Sequence, residues 1–320
     1  MKSVLLLLLL AANALSQDAL EGQWSLNLPN QEAGWLAVED GRVSLLWAVG
    51  SARPVEKFTL QNGVLQFEKA LKRPLAPPDE PATSYGITLT AQGDVLNGEM
   101  LPANANAPQT PVRFTGQKQP PMPQRPDLTK MAFGEPISLF NGRDLAGWKI
   151  SRDDKKNGWS ARDGLLCNDT PKTDFSAYGD HANLRTEAEF EDFQLHLEYR
   201  LPAGSGGNSG IYLRGLYEVQ VTHKDSKMQG INGPGAVFGR VAPTRNAGHP
   251  AGEWDTLDIT LADRHITVVL NGETVIDNAP VPGCTGGALH SDVTRPGPIY
   301  LQGDHTSVQY RHLTLRPRVK

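Results

Sequence analysis

The apolar residues of this chain recur with a period of two, and that alternation settles the fold class before any motif is read. Successive side chains on a β-strand point to opposite faces. In Ile211-Tyr212-Leu213-Arg214 the apolar pair shares one face, and Tyr212 and Arg214 share the other. After Gly215-Leu216, Tyr217, Val219 and Val221 face one way, while Glu218, Gln220 and Thr222 face the other. Similar runs recur from Trp24 to Leu315, and 32 glycines and 24 prolines supply the turns between them. An all-β protein follows.

The N-terminus reads differently. Met1-Lys2-Ser3 precedes the apolar run Val4–Leu10, and Ala14-Leu15-Ser16 supplies small residues for cleavage before Gln17. This pattern predicts a signal peptide over 1–16, and hence export to the periplasm or beyond. The run is too short to span a bilayer core of about 30 Å, and no later stretch approaches that length, so no membrane insertion is expected. With 31 basic against 35 acidic residues and no basic block, a nucleic-acid partner is unsupported. Cys167 and Cys284 lie far apart, outside any metal-type spacing. Export permits a disulfide, and two separately buried thiols fit equally. Oligomeric state is left open.

Residues 18–117 read as strand after strand, with Asp40-Gly41 and Asn62-Gly63 as hairpin turns. They predict a small antiparallel β-domain, open sheet or barrel, with no histidine and no convergent acids, and so an accessory role. Trp24, Trp35 and Trp47 could stack on sugars, but aromatics on strands are more often core. Residues 118–133 form a proline-rich, semi-rigid linker. From 134 to 320 many short strands between Gly and Pro loops predict a two-sheet sandwich of jelly-roll type, with Asn271-Gly272 as one clear hairpin turn.

Pro136-Ile137-Ser138-Leu139-Phe140-Asn141-Gly142-Arg143-Asp144-Leu145-Ala146-Gly147-Trp148 resembles the opening signature of the DUF1080 family, described as 3-keto-disaccharide hydrolases. The resemblance continues through Asp192–Arg200, Gly207-Asn208-Ser209-Gly210-Ile211-Tyr212, Tyr217–Val221, Gly252-Glu253-Trp254-Asp255 and Gly297–His305. It covers about 135–318. It implies a concanavalin A-like lectin/glucanase β-sandwich and a hydrolase acting on 3-keto-glycosides. Residues 18–117 lie outside it.

The polar positions on the strands are His196, Glu198 and Arg200; Tyr212 and Arg214; Glu218, Gln220 and Thr222; and Tyr300 and Gln302, with Asp304 and His305 just beyond. If these strands are neighbours in one sheet, one concave surface carries the acids, amides and aromatics that a carbohydrate needs. A glucanase of this fold presents acids in a pattern like E-x-D-x-E. Here the strand reads Glu218-Val219-Gln220-Val221-Thr222, so the paired carboxylates of an ordinary retaining glycosidase are missing. The resemblance implies a less demanding route. A C3 ketone acidifies the C2 hydrogen, so one base, one acid and a few enolate-stabilising groups suffice. On this reading Glu218 is the base and His305 or Asp304 the acid. Arg214, Gln220 and Asn208 hold the enolate and hydroxyls, and Tyr212, Glu198, Arg200 and Gln302 complete the substrate surface. A divalent metal could be held by some of His181, His223, His249, His290 and His305 with Glu or Asp, but no H-E-x-x-H spacing occurs and lone surface histidines are the better reading. The alternative is a non-catalytic, lectin-like carbohydrate-binding protein, which would tolerate Glu218→Gln.

Overall fold

The computed structural model describes residues 19–72, 81–104, 110–171 and 180–319; the segment 1–16, where a signal peptide is expected, lies outside them. The chain divides into two compact units. One runs to Pro120 and takes in Leu289–Ser291, and the other comprises Pro121–Ala288 and Asp292–Lys320.

The first unit is a nine-stranded antiparallel sheet. Its strands are β1 (Gly22–Asn27), β2 (Ala33–Glu39), β3 (Arg42–Trp47), β4 (Arg53–Pro54), β5 (Phe58–Gln61), β6 (Val64–Leu71), β7 (Thr83–Gln92), β8 (Val95–Pro102) and β9 (Val112–Lys118), in the order β4-β3-β2-β1-β9-β8-β7-β6-β5. Two meanders thus join through the β1–β9 pair. Both anticipated turns have the backbone that Asn-Gly and Asp-Gly favour: φ is 51° and 70° at Asp40-Gly41, and 52° and 72° at Asn62-Gly63. Trp24 is fully buried in the core with Leu36, Leu65 and Ile87 and donates Nε1–H to Leu20 O. Trp47 meets Phe114 edge-on at 5.3 Å, and Trp35 is also buried. Trp24 and Trp35 thus fill space in the core, while Trp47 packs against it half-buried.

The second unit is built from β10 (Ile137–Ser138), β11 (Trp148–Ile150), β12 (Trp159–Arg162), β13 (Leu165–Asn168), β14 (Leu184–Thr186), β15 (Phe193–Arg200), β16 (Ser209–Leu213), β17 (Tyr217–Val221), β18 (Trp254–Ala262), β19 (His265–Leu270), β20 (Glu273–Pro280), β21 (Tyr300–Leu301) and β22 (Val308–Pro317). A larger sheet runs β12-β13-β22-β15-β18-β19-β20, with β10 on β22, and a smaller one runs β11-β14-β21-β16-β17. The apolar halves of the alternating strands are buried: Leu195, Leu197, Tyr199, Ile259 and Leu315 from the larger sheet, and Ile211, Leu213, Val219, Val221 and Leu301 from the smaller. Each such side chain contributes about 1.5–3 kcal/mol by leaving water. Tyr199 Oη also donates across to Thr222 O of the chain leaving β17. This is the expected jelly-roll sandwich. Asn271-Gly272 turns with φ of 52° and 79°. The proline-rich tract docks on this unit: Arg125 pairs with Asp277 at 2.9 Å, and Asn278 donates to Pro126 O. Cys167 and Cys284 are separate, buried free thiols.

The two-sheet layout corrects part of the predicted polar surface. His196, Glu198 and Arg200 lie on β15 of the larger sheet, opposite in the strand to the core residues Leu195, Leu197 and Tyr199. They therefore face outward from the sandwich and cannot share a surface with Glu218. Glu198 accepts from Arg311 Nε and pairs with His312 Nδ1, each at 2.7 Å. Burial pushes its carboxyl pKa up, but these two partners outweigh it and hold it below the usual range. Arg200 donates to Gln309 and lies over Trp254 at 4.7 Å. These residues are committed to one another.

Candidate active site on the smaller sheet

The register of the smaller sheet arranges its outward side chains in rows. Lys149 opposes Arg185, Arg185 opposes Tyr300, Tyr300 opposes Tyr212, and Tyr212 opposes Glu218. Directly opposed residues of an antiparallel pair share one face, so these five cross the whole sheet in line. The next row contains Gly210, opposite Gln220, with Gln302 on its other side donating its backbone N–H to Gly210 O at 2.9 Å. Sequence alternation thus correctly joined Tyr212, Glu218, Gln220, Tyr300 and Gln302. It could not reveal Lys149 and Arg185, because β11 and β14 are only three residues long. Gly210 was hidden for another reason: its contribution is the side chain it lacks.

Glu218 is 3 % exposed and leans along the sheet until its carboxyl lies over Gly210. Burial pushes its pKa up to about 8, and the negative charge of Asp304 adds to the rise. A proton from Tyr212 would oppose this, but Tyr212 gives its hydroxyl proton to Gly286 O at 2.8 Å. Its oxygen is left to accept from a neutral Glu218. Burial likewise raises the pKa of Tyr212 and Tyr300, so both phenols stay protonated at neutral pH. Tyr212 and Tyr300, both buried, pack edge-to-face beside the acid with ring centroids 5.0 Å apart.

Two carboxamides flank that acid. Gln220 is fully buried and donates Nε2–H to Asn208 Oδ1 at 3.0 Å, and its Oε1 has no partner. Gln302 Oε1 is also buried without one. An unpaired buried acceptor costs about 1–3 kcal/mol, so both positions favour a ligand that brings hydroxyl donors. Asn208 itself is held by Thr306, whose Oγ1 accepts from Asn208 N at 2.8 Å. Asp304, whose charge reaches Glu218, has its Oδ1 2.6 Å from His305 Nδ1, which fixes that ring. Among the described residues no group of three or more His, Cys, Asp or Glu side chains is placed to hold a metal ion.

Arg214 is the second correction. It follows β16 rather than belonging to it and adopts φ of 58°. Its guanidinium donates to Val293 O at 3.0 Å and to Arg295 O, and the side chain is buried. Turning into the left-handed region breaks the strand alternation, so Arg214 points away from the row of Tyr212. It belongs instead to a set of arginines that bind backbone carbonyls: Arg264 takes Pro282 O and Arg240 takes Cys284 O. Thr285 Oγ1 accepts from Glu218 N at 2.9 Å. The segment after β20 is thereby tied down beside the acid. Arg214→Met is expected to cost about 2–3 kcal/mol, because hydrogen bonds to a charged group are lost. For a unit of this size that is a fall of roughly 4–12 °C in melting temperature. An unchanged melting temperature with a raised KM would return Arg214 to the substrate surface.

A β-sandwich with a buried acid, amides and aromatics on the outward face of one sheet defines a carbohydrate-active jelly-roll protein. The chain belongs to the family of the 3-keto-alpha-glucoside-1,2-lyase-like domain, matched over residues 135–316. This is a glycoside-active family. Among solved structures, a protein of Parabacteroides distasonis provisionally described as a glycosyl hydrolase is 25% identical, with 63% of this chain and 94% of that chain covered and a TM-score of 0.45. A second from the same organism is 21% identical, covering 57% and 100% respectively, with a TM-score of 0.43. A non-specific endo-beta-1,3(4)-glucanase of family GH16 is 12% identical, covering 63% and 94%, with a TM-score of 0.35. No curated protein matches the chain.

Proposed function

We propose that the protein is an exported enzyme that cleaves 3-keto-glycosides, 3-keto-disaccharides among them, by elimination and hydration on the Glu218 face. The observation that carries this reading is Glu218, a single buried carboxyl with its pKa near 8, set among amides and close to the Asp304–His305 pair. Glu218 removes the C2 proton, and the C2–H electrons form the enolate of the C3 ketone. The enolate then expels the C1 oxygen substituent, which takes its proton from His305 held by Asp304. Water adds across the resulting double bond, giving net hydrolysis without any redox change. A base with a pKa near 8 removes a carbon-bound proton better than one near 4.5, and pays with a smaller ionised fraction at neutral pH. Asn208, Gln220 and Gln302 bind the enolate oxygen and hydroxyls. Tyr212 and Tyr300 support the ring, while Glu198, Arg200 and Arg214 take no part.

The test is turnover of 3-keto-trehalose or a 3-keto-glucoside in D₂O, followed by NMR, with and without EDTA. Released 3-keto-glucose should carry deuterium at C2. The EDTA arm reads whether a divalent ion takes part. As the base must be ionised, kcat/KM should rise as pH increases toward about 8. Cleavage without C2 exchange would exclude proton abstraction. Failure to cleave any 3-keto substrate, with saturable binding of plain glycans, would leave a lectin-like protein.

A further inference from the structure

The row that ends at Glu218 begins with two cations. Lys149 on β11 and Arg185 on β14 are directly opposed. Like charges in that relation destabilise a sheet. Neither side chain makes an ion pair or hydrogen bond among the described residues, whereas three other cations of this part of the chain are matched: Arg152 with Asp154 at 2.7 Å, Lys156 with Asp180 at 2.7 Å and Arg162 with Asp169 at 2.5 Å. A lysine on an edge strand is a common guard against sheet-to-sheet pairing, and β11 is such an edge. That explanation fails for Arg185, which sits half-buried on the interior strand β14.

We propose that Arg185 and Lys149 form an oxyanion subsite that receives an acidic substituent, a carboxylate or a sulfate, on the part of the sugar ligand extending away from Glu218. The inference rests on the outward face of the smaller sheet being the sugar site. Between the two ends the row holds Tyr300 and Tyr212, which are 5 % and 1 % exposed. Three inter-strand steps of about 4.8 Å separate Glu218 from Arg185, roughly 14 Å at the backbone. Extended side chains shorten that gap, so a group carried one sugar beyond the reacting ring comes within reach of the guanidinium. The planar fork of Arg185 matches either oxyanion in a bidentate manner, and Lys149 adds a mobile point charge. An anion there removes the repulsion between the pair, whereas a neutral ligand leaves it.

The experiment is calorimetric titration, at low ionic strength, of the full chain and of the Arg185→Gln/Lys149→Gln variant. Three ligands are compared: a glucosyl-glucose disaccharide, its analogue with the second sugar oxidised to glucuronate, and its analogue with a sulfate ester at the same carbon. The unmodified protein should bind at least one acidic ligand about tenfold or more tighter than the neutral one, a difference of about 1.4 kcal/mol. The double variant should lose that preference to within about twofold and keep its affinity for the neutral disaccharide. Preference for glucuronate alone identifies a carboxylate site, and for the sulfate alone a sulfate site. Equal affinities, no binding of either acidic ligand, or a preference that survives in the double variant would overturn the proposal. Because binding is read without turnover, a protein that cleaves 3-keto-glycosides with no acidic preference loses the subsite and keeps the activity. The converse result keeps the subsite and loses the activity.

Discussion

Glu218→Gln is expected to reduce turnover of a 3-keto-glycoside by about 10²–10⁴-fold, the usual contribution of one general base. Glutamine is close in shape to the protonated acid, which is the form that dominates below pH 8. The fold at pH 6 should therefore be unaffected. A second, independent signature follows from linkage. The folded-state pKa of Glu218 is raised from 4.5 to about 8, so the folded protein holds a proton that the unfolded chain releases. Stability from this group is fully present below about pH 4.5 and is lost as pH rises through about 8, by roughly 3–5 kcal/mol. Glutamine has no such proton to lose. Melting curves of the two proteins should coincide near pH 5 and separate toward pH 9, with the variant the more stable. Unchanged turnover would remove Glu218 from catalysis. Parallel stability curves would show that its carboxyl is not held neutral by burial, whatever its part in turnover.

How much of this was legible beforehand depends on strand length and on what each strand packs against. Alternation over β15, β16, β17 and β18 is long enough to divide inward from outward residues, so Ile211, Val219, Leu195 and Leu197 were readable as core. The same alternation cannot say which sheet a strand joins. Glu198 and Glu218 look equivalent in sequence, yet one pairs with Arg311 and His312 on the larger sheet and the other is enclosed on the smaller. Arg214 shows a different limit. It extends the period of Ile211–Leu213 by one residue, but a left-handed backbone turns it to the carbonyls of Val293 and Arg295. Arg185 shows a third, since three residues carry too little pattern to be noticed. Short strands and positive φ were the blind spots, and both shape the surroundings of this site.

The most specific consequence of the geometry lies at Gly210. A Cβ built there would come within 2.8 Å of both Cγ and Cδ of Glu218, and closer still to Oε1. Real Cβ contacts are longer, so Gly210→Ala must push the carboxyl aside by about 1 Å, and a displacement of that size can lower turnover by about 10²-fold. The backbone does not confuse the result, because Gly210 is absent from the residues with positive φ and alanine can adopt its conformation. Gly86→Ala is the matched control: it is also a strand glycine, and its nearest neighbour to a new Cβ is Leu101 O at 4.0 Å. We expect kcat to fall about a hundredfold in Gly210→Ala with KM within a fewfold, and Gly86→Ala to be indistinguishable from the unmodified protein. The pH profile separates positioning from general damage. A carboxyl moved from its enclosed seat loses part of the burial that raises its pKa, so the rise in kcat/KM should begin at lower pH. Glu218→Asp in the Gly210→Ala background withdraws the acid from the new methyl group and should recover melting temperature without recovering rate. If Gly210→Ala keeps both its rate and its pH profile, the empty space over Gly210 does not seat the base, and the leaning of Glu218 across the sheet has no catalytic meaning.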